Sequence, residues 1–293
     1  MQYTLKNQEL TATFKTAGAE LTSLQDTRGK EYIWCGDASI WNRHSPVLFP
    51  FVGKVNNGEY RYKGVAYKMG QNGFARDAEF ALELLAEDEI WFVLDATEET
   101  KQKYPFEFRL EVGYKLIGNT LRVMWKVKNP SDNETLYFSI GAHPAFMCPI
   151  EEGTKRTDYF LQMNAKDAVA YYTPDLEKGL RLNEKCEMKL ENGRVLMPDG
   201  FFSIDTYIIE DSQVSEVALV TPEGRPYVTV SFDAPVVGIW SPEAKQAPFV
   251  CIEPWYGRCD RVDFKGCLEE REWGNALAAG ESFEAHYDIC IER

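Results

Sequence analysis

Phe106-Glu107-Phe108-Arg109-Leu110-Glu111-Val112-Gly113-Tyr114-Lys115-Leu116 is answered, after Ile117-Gly118-Asn119-Thr120, by Leu121-Arg122-Val123-Met124-Trp125-Lys126-Val127-Lys128. Apolar side chains fall on every even position of the first run and on Leu121, Val123, Trp125 and Val127 of the second. Successive side chains of a strand point to opposite faces, so this alternation on both sides of a Gly-Asn turn predicts an antiparallel hairpin with one buried face. Tyr60-Arg61-Tyr62 turning through Lys63-Gly64 into Val65-Ala66-Tyr67 reads the same way. So does Val217–Val220 turning through Pro222–Arg225 into Tyr227–Phe232, and Phe283–Ile289 alternates again. The best helix signals are short, around Leu176–Leu180 and Cys267–Glu272. With no Pro/Gly/Ser-rich linker and no fixed-period repeat, the pattern predicts one all-β domain over residues 1–293, a large antiparallel β-sandwich of two stacked sheets.

Composition narrows the function. The 293 residues carry 46 acidic and 32 basic side chains, a net charge of −14, which repels phosphate backbones and anionic lipid. Partners of the nucleic-acid or membrane class are therefore not expected, and no apolar run reaches the length of a membrane span. Met1–Glu9 lacks the apolar core of a signal peptide. Seven scattered cysteines, an odd number, fit free thiols in a reducing cytoplasm. Cys251, Cys259 and Cys267 are evenly spaced, but no Cys-x-x-Cys pair and no nearby His supports a zinc site.

Two ionisable residues stand out. His143 follows the apolar run Ser139-Ile140-Gly141-Ala142, and Glu253 follows Phe249-Val250-Cys251-Ile252; each precedes a proline. Proline cannot extend a hydrogen-bonded ladder, so both groups are expected where a strand ends and a loop begins. An imidazole and a carboxylate brought together there would form an acid–base pair. The bland alternative for Glu253 is a buried salt bridge, with Arg258 or Arg261 as candidates.

Four segments, in order, resemble the aldose 1-epimerase (galactose mutarotase) family and particularly its LacX-like branch. They are Ser45–Lys54 (SPVLFPFVGK), Asn72–Phe80 (NGFARDAEF), Gly141–Phe146 (GAHPAF) and Cys251–Gly257 (CIEPWYG). The resemblance implies a β-supersandwich with a sugar cleft, no metal or organic cofactor for the chemistry, and interconversion of the α and β anomers of a free aldose. By position it implies Glu253 as general base and His143 as general acid. A carboxylate of ordinary pKa is ready to accept, and a neighbouring anion would favour a protonated imidazole.

This chain departs from the family motif at residue 72, where Asn72 fills the place of the usual His. An amide donates and accepts hydrogen bonds but carries no charge. If the residue only positions sugar, activity survives with an altered preference; if it shares in proton transfer, the chain is a slow enzyme or a non-catalytic sugar-binding or sensing protein. Arg76 matches the motif's Arg and would bind hydroxyls or orient a carboxylate, against a salt bridge with Asp77 or Glu79. Asp205 resembles the family's hydroxyl acceptor, against a turn or sheet-edge Asp. Arg43 and Lys54 are further cationic candidates, and Trp255 would stack on a sugar face or belong to the core. Trp240 is a weaker stacking candidate, and His44 and His286 read as structural. A glycoside-processing enzyme using Glu253 with Asp205 is the more distant alternative. The expected partner is a small-molecule sugar, the expected assembly a monomer or homodimer.

Overall fold

A computed structural model describes residues 1–292. The deciding hairpin forms as expected: Arg109–Ile117 pairs with Thr120–Lys128 in antiparallel register, from Ile117 opposite Thr120 to Arg109 opposite Lys128. Leu121, Val123, Trp125 and Val127 all lie buried on its inner face. This hairpin sits within a nine-stranded sheet ordered Arg194–Leu196, Phe160–Met163, Glu216–Val220, Pro226–Phe232, Ser282–Ile291, Thr120–Lys128, Arg109–Ile117, Glu89–Asp95, Ala81–Leu85. The hairpins at Glu59–Lys68 and Glu216–Phe232 form too. His286 lies in the strand Ser282–Ile291, opposite Met124 on the exposed face.

A second sheet is ordered Tyr207–Ile209, Val236–Trp240, Phe249–Tyr256, Ile140–Ala142, Val47–Leu48, with Ala145–Met147 also pairing Phe249–Tyr256. One core joins the two sheets: Trp125 and Tyr287 of the larger belong to the same buried cluster as Ile140, Val237, Val250 and Ile252 of the smaller. Alternation along Phe249–Tyr256 sends Val250 and Ile252 inward and leaves Cys251, Glu253 and Trp255 on the opposite face.

The helix expectations fail. Around residues 176–180 there is a turn, closed by Gly179 N–H donating to Asp175 O and capped by the Asp175 carboxylate on the N–H groups of Glu177 and Lys178. Leu176, 70 % exposed, has no core to meet. In the other segment only Leu268–Glu270 makes a single 3₁₀ turn. The one α-helix among the described residues is Glu98–Lys103, capped by Thr97, and its sequence EETKQK has no apolar period to detect.

Proline also acts differently at the two expected strand ends. His143-Pro144 does interrupt a strand, separating Ile140–Ala142 from Ala145–Met147. Pro254 does not: Phe249–Tyr256 runs through it, with Pro254 opposite Val237 of the neighbouring strand. It is tolerated because the ladder on its other side is already open. Pairing there stops at Gly141 opposite Trp255 and resumes at Ala145 opposite Cys251.

Candidate active site

That open stretch is where the ionisable pair lies. Gly141 opposite Trp255 and Ala145 opposite Cys251 belong to one antiparallel register, which sets residue 143 opposite residue 253. Directly opposed residues place their side chains side by side on one face of a sheet. His143 Nε2 is 3.3 Å from Glu253 Oε2, and the two side chains retain 13 % and 1 % of their surface. Glu253 therefore has the imidazole as its ionic neighbour. Arg258 pairs instead with Glu210 at 2.7 Å and with Glu272, and Arg261 lies 3.5 Å from Asp263. The salt-bridge alternative for Glu253 is thereby replaced.

A cleft of about 460 Å³ opens over this pair, lined also by Trp41, Arg43, Gly53, Lys54, Gln71, Asn72, Arg76, Asp175, Asp205, Thr206, Trp240 and Trp255. All eight candidates from the sequence meet in it. The ring of His143 is stacked by Trp41 (centroids 4.9 Å apart, 29° between planes) and met edge-on by Trp240 at 5.4 Å. Burial, then the positive charges of Arg76 and Arg43, push the His143 pKa down to about 3. Burial and the neighbouring Asp205 charge push Glu253 well above the carboxylate range. Desolvation thus works against charge on both groups, opposing the mutual attraction expected to hold an imidazolium beside a carboxylate.

Residue 72 has a fixed polarity. Asn72 N–H donates to Gly53 O at 2.8 Å, and Asn72 Oδ1 accepts Gly53 N–H at 2.7 Å. A backbone N–H can only donate, so the amide oxygen must face it and the NH₂ group must face away. No hydrogen bond within the described residues uses that NH₂. The left-handed backbone of Asn72, φ 64°, is one that Asn tolerates better than most residues. Gly73 follows at φ 68°, where an added Cβ would overlap Phe49 O. The first two sequence motifs interlock here, because Phe49 O also accepts the N–H groups of Phe74 and Ala75.

Arg76 lies on a 3₁₀ turn, Ala75–Asp77, rather than in a strand. Its Nη2 donates to Gln71 O at 2.7 Å, its Nε is buried without a hydrogen bond, and Asp77 stands 3.9 Å away. The stronger partner of Asp77 is Arg43, at 2.8 Å. The Lys54 amine has no hydrogen bond or ion pair among the described residues, and its chain lies against Gly179. Asp205 sits in a turn at φ 70° and accepts a hydrogen bond from Thr206 Oγ1 at 2.6 Å. Trp255 is 7 % exposed; its ring lies flat over Gly141 and Gly238, where a Cβ on either would collide with it. It forms the cleft floor, and its Nε1 donates to Ala142 O at 3.2 Å.

Sequence reasoning passed over Trp41, Gln71, Asp175 and Thr206, and weighed Cys259 only as a metal ligand. Trp41 matters most, and nothing around it in sequence marks it: its position comes from a turn in which its N–H donates to Asp37 O. The evenly spaced cysteines do not gather. Cys251 instead joins His143 and Glu253, each offering one ligand-type atom within 4.8 Å of the others.

The family model for aldose 1-epimerase matches residues 1–290. The chain belongs to the aldose 1-epimerase family. This family member is 33 % identical, over 99 % of both chains, to the chromosomal LacX protein of Lactococcus lactis subsp. lactis. Its structure resembles that of a galactose mutarotase related enzyme from Lactobacillus acidophilus, with TM-score 0.94 and 35 % identity over 100 % of this chain and 98 % of that one. A galactose mutarotase-like protein from Lactobacillus casei ATCC 334 gives TM-score 0.91 and 29 % identity, with 100 % of each chain covered. The all-β, galactose mutarotase-like fold expected from the sequence is the fold this family member has. Among its described residues no helix is long and apolar enough to cross a membrane.

Proposed function

We propose that the chain interconverts the α and β anomers of a free hexose or a closely related sugar, with Glu253 and His143 as the acid–base pair. The observation that carries this reading is their opposition at 3.3 Å beneath a sugar-sized cleft. The neutral pair and the carboxylate–imidazolium pair hold the same number of protons and differ only in which group carries the shared one.

In ring opening the Glu253 carboxylate takes the proton of the anomeric hydroxyl. The C1–O5 bond breaks as O1 becomes a carbonyl oxygen, and the imidazolium of His143 gives its proton to O5. Rotation about C1–C2 turns the other carbonyl face toward O5. In reclosure His143 takes back the O5 proton as O5 attacks C1, and Glu253 returns a proton to O1. O1 and O5 share one carbon, so two groups this close can serve both oxygens. Asn72, Arg76, Asp205, Lys54 and Arg43 hold the hydroxyls, while Trp255 underlies the ring. Because Asn72 presents only N–H groups to the cleft, its role is to donate to a sugar oxygen, a task that needs no charge.

The test is anomer exchange of freshly dissolved α-glucose and α-galactose, followed by polarimetry or NMR. The wild type should outpace buffer, and Glu253→Gln and His143→Ala should each lose about 10²- to 10⁴-fold. Saturable sugar binding with exchange no faster than buffer would establish the binding-only alternative instead.

A further inference from the structure

Cys251 is a buried nucleophilic group that the proton-transfer scheme leaves unused. It shares a strand face with Glu253, two residues on, and Glu253 stands opposite His143. One thiol, one imidazole and one carboxylate thus face a common point from two strands. Two observations distinguish this from an ordinary buried cluster. The Glu253 side chain is 99 % buried, yet its Oε2 has no hydrogen-bond partner. The ligand-type atoms of all three residues also lie within 4.8 Å of one another.

We propose that His143, Cys251 and Glu253 form a binding site for a thiophilic divalent cation of the Zn²⁺ class, whose occupancy blocks the acid–base pair. Zinc bonds of about 2.0–2.3 Å at tetrahedral angles separate ligand atoms by a little over about 3 Å. The His143–Glu253 spacing of 3.3 Å already meets that requirement. Three protein ligands with a fourth position open to the cleft is a familiar zinc arrangement. The nitrogen, sulfur and single carboxylate discriminate against Mg²⁺ and Ca²⁺, which require oxygen cages. Binding releases the protons of the Cys251 thiol and the Glu253 carboxyl and occupies the imidazole lone pair, so no group remains to exchange protons with a sugar.

The binding claim stands on the side-chain arrangement alone; the inhibition claim also rests on the proposed mutarotation. Metal-stripped protein is titrated with Co²⁺ by absorption spectroscopy, and Zn²⁺ is measured by competition. The expected result is one equivalent bound with a thiolate-to-cobalt charge-transfer band. Cys251→Ala should lose the band, and His143→Gln should weaken binding at least about tenfold, because outer partners of zinc ligands alone change affinity 10–100-fold. Absence of saturable binding, or either variant binding like wild type, overturns the site. Should Cys251→Ala not fold, His143→Gln, whose ring lies at the open cleft, decides alone. In a second arm, Zn²⁺ should suppress anomer exchange by the wild type and spare Cys251→Ala. Inhibition equal in both overturns the claim. A wild type that binds Co²⁺ as described but does not speed exchange would refute mutarotation and leave the metal site standing.

Discussion

Replacing Asn72 by Asp isolates the direction of one hydrogen bond. The new carboxylate keeps an oxygen for Gly53 N–H, and Asp tolerates a backbone φ of 64° nearly as well as Asn, so the loop should hold. The group facing the cleft, however, changes from N–H donor to acceptor. The bond to the sugar is lost and one buried oxygen is set against another, a penalty of about 1–3 kcal/mol. That predicts a fall in kcat/KM of about 10- to 100-fold, borne mainly by KM, with no change in thermal unfolding. Asn72→His is the companion variant. A histidine whose Nδ1 accepts Gly53 N–H presents Nε2–H to the cleft and repeats the polarity of the amide. Its kcat should stay within about threefold of wild type and its pH–rate profile should gain no ionisation. Initial rates of anomer exchange at several sugar concentrations and pH values read both variants. A rise of more than about tenfold in Asn72→His, with a new ionisation, would show that residue 72 carries protons and refute the donor argument.

Three further outcomes follow from packing and charge. Gly238→Ala drives a methyl into the Trp255 ring and should cost about 1–3 kcal/mol in denaturant unfolding, with weaker sugar binding from the displaced floor. Trp41→Ala removes the ring stacked on His143 and should lower kcat/KM by about 3- to 10-fold while leaving the unfolding midpoint close to wild type. Arg258→Ala leaves Glu210, itself 5 % exposed, with Arg181 as its remaining cation at 3.1 Å, so only the loss of a charge-assisted hydrogen bond, about 1.5–3 kcal/mol in urea unfolding, is expected.

The large sheet was legible because its strands alternate cleanly, with one face of Thr120–Lys128 packed and the other wet. His143 and Glu253 were legible as polar residues in apolar runs, and their motifs named the family. Their juxtaposition was not, since it depends on which strands pair and in what register. The proline after Glu253 misled, because the ladder it would break is broken instead by His143-Pro144 on the adjacent strand. Helix Glu98–Lys103 was invisible since it is held by a Thr97 cap rather than an apolar stripe. The polarity of Asn72 was equally hidden, being set by a backbone N–H at Gly53. The effect of burial on the pair was hidden for a further reason: burial is a property of the assembled layers, and no local segment reports it.

The cross-strand register has a consequence for how this protein can vary. The chain between Met147 and Phe249 also supplies Tyr207–Ile209 and Val236–Trp240 to the smaller sheet, so insertions there leave the pair untouched only in the loops between strands. One residue added within Phe249–Tyr256, by contrast, would rotate either Glu253 or its strand neighbours to the reverse side. Length changes should therefore gather in the loops of that stretch among relatives and be essentially absent from Val236–Trp240, which pairs with the Glu253 strand, and from the short strands that bracket the stretch.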